Sequence, residues 1–85
     1  KSGNNVSLKP GMPDYYIISA SFSQEENARN YKLTLQKEGN FPEVVFLENK
    51  NLWVVSYNKY PSISEAEKVL QRYKIQNPSA WILTK

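Results

Sequence analysis

An α+β domain with the element order β-α-β-β-α-β is the fold class this sequence predicts, and three observations carry the prediction. Four short segments rich in β-branched and aromatic residues alternate with two stretches of helical periodicity. Each helical stretch opens on a Ser followed three residues later by Glu, the pattern of a capping box. The chain also matches itself at an offset of 37 or 38 residues: Tyr16 with Trp53, Ser19 with Ser56, Ala28 with Ala66, Leu35 with Tyr73 and Asn40 with Asn77. Two βαβ halves of this kind fold as one antiparallel sheet with both helices on the same side, a ferredoxin-like arrangement of split βαβ units.

The elements follow in order. Residues 1–13 carry Gly3, Pro10, Gly11 and Pro13, with apolar residues only singly, and are expected to be a flexible linker or tail. The folded domain is expected to span 14–85. Tyr15 to Phe22 reads as the first strand. Ser23 and Glu26 form a capping box for a helix whose Ala28, Tyr31 and Leu35 share a face, and Gly39 supplies its left-handed stop. Val44 to Leu47 is a second strand, Asn49-Lys50-Asn51 a hairpin turn, and Leu52 to Tyr57 a third strand. Ser64 and Glu67 cap a second helix with the apolar stripe Ala66, Val69, Leu70 and Tyr73. Asn77-Pro78 ends it, and Ala80 to Leu83 is the last strand.

Composition removes several functions. Eighty-five residues make one small domain, 40% hydrophobic and 22% charged, in the range of ordinary folded domains. Two Trp, six Tyr and three Phe help to fill a core. With no Cys and no His, disulfides, thiol nucleophiles, histidine-based triads and ordinary zinc sites are excluded. No metal or cofactor is expected. Apolar runs are only a few residues long, too short to span a bilayer, so membrane attachment is expected only through segments outside this stretch.

Strand alternation assigns two sheet faces. Ile17, Val55, Ala80 and Ile82 are expected to meet the helices. Tyr16, Ile18, Ala20, Leu52, Val54, Ser56, Trp81 and Leu83 are expected on the open face, with Asn58 on that side of the third strand; a one-residue slip would exchange the sets and bring in Trp53 and Tyr57. An aromatic and aliphatic face with almost no charge marks a binding surface.

The charges then separate the ligand classes. Eleven basic residues against eight acidic leave a formal +3, yet Arg29, Lys32, Lys37, Lys68, Arg72 and Lys74 all fall on helices. Leu52 to Tyr57 lacks the Gly and the cations that a base-stacking RNA-binding sheet carries, so nucleic acid is not expected. No strand of the open face offers a pair of carboxylates, and no Gly-rich phosphate loop is present, so no enzyme is read here. A pyranose ring, with one apolar face and a rim of hydroxyls, suits such a surface. On composition alone a sugar polymer ties with a protein partner or self-association through the same face.

The tie is broken by a resemblance. The stretches Tyr15-Tyr16-Ile17-Ile18-Ser19-Ala20-Ser21-Phe22-Ser23, Glu26-Asn27-Ala28 with Leu35 and Gly39, Leu52-Trp53-Val54-Val55, Ser64-Glu65-Ala66-Glu67 and Ala80-Trp81-Ile82-Leu83 resemble, in order and spacing, the SPOR (sporulation-related repeat) domains of bacterial envelope proteins. The resemblance covers about residues 14–85. It implies a non-catalytic peptidoglycan-binding module that favours glycan strands denuded of stem peptides and brings its parent protein to the cell wall or division septum, on the periplasmic side of the envelope; a monomer is expected. Carried over by position, the family's binding residues fall at Ile18 and Ser21 on the first strand, Leu52 on the third, and Ser79 or Trp81 near the last. Many members have Gln, Gly and Arg where this chain has Ile18, Ala20 and Val54. With the residues read directly, the expected glycan site is Tyr16, Ile18, Ser21, Leu52, Val54, Ser56 and Trp81. Tyr16 and Trp81 would stack, Ile18, Leu52 and Val54 would form an apolar floor, and Ser21 and Ser56 would hydrogen-bond.

Overall fold

The computed structural model describes residues 13–85, so the expected tail lies outside the described residues apart from Pro13. The elements are β1 (Tyr15–Phe22), α1 (Glu25–Lys37), β2 (Val44–Leu47), β3 (Leu52–Tyr60), α2 (Ile63–Gln76) and β4 (Trp81–Thr84). They form one four-stranded antiparallel sheet in the order β2-β3-β1-β4 with two helices, the expected α+β, ferredoxin-like arrangement.

Both helices pack on one side. Ile17 and Val55 of the sheet meet Ala28 and Ala66 of the helices, and all four are completely buried. The two alanines let the helices approach the sheet closely, and Leu35, Tyr57, Tyr31 and Tyr73 fill the space around them. Tyr57 and Tyr73 stack with ring centroids 4.0 Å apart. The internal repeat is visible here with one change. The strands correspond at an offset of 38, pairing Ile17 with Val55 and Ile18 with Ser56, rather than Tyr16 with Trp53, which lie on opposite faces.

The helix starts depart from the expected caps. The N-cap of α1 is Gln24, which makes no side-chain cap bond, so Ser23 sits one residue too early to cap it. Glu25 instead pairs with Arg29 one turn on, and with Glu26 it places negative charge at the positive end of the helix dipole. For α2 the cap is Ser62, whose Oγ accepts the Glu65 N–H at 3.2 Å. Ser62–Glu65 and Ser64–Glu67 are both Ser-x-x-Glu, and the extended Ser62 (φ −133°, ψ 148°) makes the earlier one the boundary. The C-terminus of α1 closes as expected: Gly39 takes φ +94°, its N–H reaches Gln36 O (3.0 Å), and the Asn40 N–H reaches Leu35 O (3.1 Å).

Two irregularities between β1 and β3 reset the faces. Ile17 pairs with Asn58, Ile18 with Ser56 and Ala20 with Val55, so Tyr57 and Ser19 are each an extra residue. Beyond the first, Asn58 turns to the helix side and donates to Tyr73 Oη at 2.7 Å, correcting its expected place. Lys59 then faces the open side opposite Tyr16, on a β3 that runs three residues further than expected. Beyond the second, Ala20 shares the helix side with its partner Val55, not the open face, and Ser21 comes to the open side opposite Val54.

Candidate functional site

The sheet face away from the helices carries its own apolar cluster. Tyr16, Ile18, Val45 and Val54 form its buried part, with Leu47 and Leu83 packed against them. Register explains the grouping: Val45 pairs with Val54 across β2–β3, Tyr16 with Leu83 and Ile18 with Trp81 across β1–β4. A groove of about 760 Å³ runs over this face, lined by Tyr16, Val45, Leu47, Glu48, Leu83 and Lys85 among others.

The seven expected site residues are not equivalent in this surface. Trp81 stands at its margin on the edge strand β4, 38% exposed, and is the large aromatic surface of the face. Ser21 is exposed and Leu52 half-buried at the hairpin end of β3, paired with Leu47. Tyr16 lines the groove but is 9% exposed, so it is a wall of the groove more than a broad stacking shelf. Ile18 and Val54 are 0% and 1% exposed and act as packing beneath the lining residues.

Ser56 corrects its expected role. It is completely buried, the Glu43 N–H donates to its Oγ (3.2 Å), and its O–H donates back to the Glu43 carbonyl (3.4 Å). Its hydroxyl is spent on holding the start of β2 to β3, where the Ser56 N–H also reaches Glu43 O.

Sequence reasoning missed four contributors. Val45 and Leu47 belong to the face because β2 alternates in register with β3, a signal that alternation within β2 could have supplied. Glu43 and Lys59 were missed for a different reason, since only the β-bulge brings Lys59 to this side. The Lys59 ammonium lies 2.9 Å from Glu43 Oε2, 3.8 Å from Asp14 Oδ2 and 5.8 Å from the centroid of the Tyr16 ring. The hydrogen bond to Glu43 holds the Lys59 pKa above its ordinary value. Burial, reinforced by the Glu43 charge, pushes the Tyr16 phenol up as well. Among the described residues no group of three or more His, Cys, Asp or Glu could hold a metal ion, and no helix is long and apolar enough to cross a membrane.

Strand alternation thus splits the domain into a helix-packed core and a second apolar face with an aromatic margin. The SPOR domain family model matches residues 11–84, nearly the whole chain, and the chain belongs to that family. SPOR domains are peptidoglycan-binding modules of cell-envelope and division proteins, a binding family and not a catalytic one. Neither the curated proteins nor the solved structures yield a significant match.

Proposed function

We propose that this domain binds the glycan strands of peptidoglycan, in regions denuded of stem peptides, through the open sheet face, and so holds its parent protein at the cell wall or septum without catalysing a reaction. The observation that carries the reading is the sheet face that the helices leave free: a groove lined by Tyr16, Val45, Leu47 and Leu83, with Trp81 exposed on the neighbouring stretch of β4. Trp81 offers a ring for the apolar face of a pyranose, Leu83, Leu47 and Val45 offer aliphatic contact, and Ser21 an exposed hydroxyl. The site then lacks the Gln and Arg side chains of many relatives, because Ile18 and Val54 occupy those positions as packing residues.

Sedimentation of the purified domain with sacculi tests this. Amidase-treated wall, whose strands have lost their stem peptides, is expected to retain more domain than intact wall. Equal and weak retention on both would contradict glycan-strand recognition and favour a protein partner for the same face.

A further inference from the structure

The geometry points to the Lys59–Glu43 pair as a polar subsite that reads the acetamido edge of an uncharged N-acetylhexosamine unit, an inference that rests on the glycan-binding reading. Beside the aliphatic and aromatic residues of this face, the pair supplies a cationic donor and an anionic acceptor side by side. The ammonium uses one N–H on Glu43 Oε2 at 2.9 Å, and Asp14 at 3.8 Å is beyond hydrogen-bond range. Among the described residues nothing else bonds the ammonium or the second Glu43 oxygen, which leaves donors and an acceptor for a ligand. Lys59 and Glu43 are 45% and 43% exposed at their side chains, within reach of a ligand lying along the Tyr16 wall. An acetamido group, with its N–H and C=O a few ångströms apart, matches a donor–acceptor pair of this kind.

Placement on the sheet connects the pair to Trp81. Lys59 faces Tyr16 from β3, and Trp81 faces Ile18 from β4, two residues further along β1. Two strand spacings and two residue rises put them about 12 Å apart on the diagonal. That is about the length of a disaccharide. A strand laid along the diagonal presents one ring to Trp81 and a polar edge to Lys59–Glu43.

The charges at this site balance: Asp14 and Glu43 oppose Lys59, and Lys85, which lines the groove and pairs through its backbone with Asp14, brings the formal sum to zero. The subsite therefore requires no charge on the sugar unit.

Calorimetric titration with chitohexaose, an uncharged N-acetylglucosamine oligomer, and with amidase-stripped glycan strands tests the assignment. Wild type is expected to bind both, with affinity for the uncharged chitohexaose changing less than about twofold between low and moderate salt, unlike phosphate binding. Lys59→Met and Glu43→Gln are each expected to weaken both ligands about tenfold, the loss of one charge-assisted hydrogen bond. Both variants should stay folded, because half-exposed ion pairs contribute little to stability, and a thermal melt checks this. Folded variants that bind within twofold of wild type would overturn the subsite and leave the glycan reading standing. Wild-type binding to stripped strands but not to chitohexaose would overturn the uncharged-unit assignment. Absence of wild-type binding to both would overturn the glycan reading and the subsite together.

Discussion

Truncating Trp81 to Ala separates a binding role from a packing role. Trp81 is 38% exposed. A Trp presents at most roughly 250 Å², so ~95 Å² remains for a ligand to cover. At about 25 cal/mol per Å², complete coverage would contribute ~2.4 kcal/mol, and a sugar stacked on one side of the ring about half of that. The expected loss in Trp81→Ala is therefore about sevenfold in affinity. The buried remainder sets the cost in stability at no more than ~4 kcal/mol, an upper bound from area alone. A terminal residue of an edge strand relaxes more easily than a core one, so ~2 kcal/mol is the expected destabilisation. The assay is sedimentation with amidase-stripped sacculi, run beside far-UV circular dichroism and a urea titration. Trp81→Phe, which keeps a ring, is expected to bind within about twofold of wild type. A folded Trp81→Ala that binds as well as wild type would refute the stacking role, and one that unfolds at room temperature would make Trp81 an interior prop.

Other consequences are local. Ser62→Ala is expected to cost about 1 kcal/mol, because the Glu65 N–H loses its cap, whereas Ser64→Ala should cost less than about half of that; paired urea titrations distinguish the two. Asn77→Ala removes the donor to the Ser19 carbonyl (2.9 Å) and Tyr57 Oη (3.3 Å), and the orphaned part-buried groups should cost about 1–3 kcal/mol by the same measurement. The phenols of Tyr16 and Tyr60 both have pKa values raised, chiefly by burial. A raised folded pKa means that the native state keeps protons the unfolded chain releases, so stability should hold below the ordinary tyrosine pKa of 10.0 and decline as pH rises through the folded values. Phenolate absorbance is expected to show two late-titrating tyrosines, and two early ones would contradict the burial argument.

The fold was legible in the sequence because its signals are local. Period-two alternation put Ile17 and Val55 against the helices and Ile18, Val54 and Leu83 on the other side, where the structure has them. What alternation cannot carry is a bulge, because an extra residue is defined by the partner strand and not by the strand that contains it. Ala20 and Asn58 were misplaced for that reason, and Lys59 went unnoticed. The caps show a second limit: Ser62-Ile63-Ser64-Glu65-Ala66-Glu67 satisfies the box pattern twice, and only backbone geometry chooses. For the candidate site, residue type placed Tyr16, Ile18, Val54 and Trp81 on one face of the sheet but did not give their exposure. Ser56 and Ile18 lie on the open side of the sheet and are nonetheless completely buried, because neighbouring strands determine how much of each side chain solvent reaches.

Glycan on the open sheet face should be visible in amide chemical shifts, followed by NMR while stripped glycan strands are titrated into the ¹⁵N-labelled domain. Shifts are expected to concentrate at Tyr16, Val45, Leu47, Trp81 and Leu83, with the amides of α1 and α2 unmoved. Shifts concentrated on the helices, or none at saturating ligand, would contradict it.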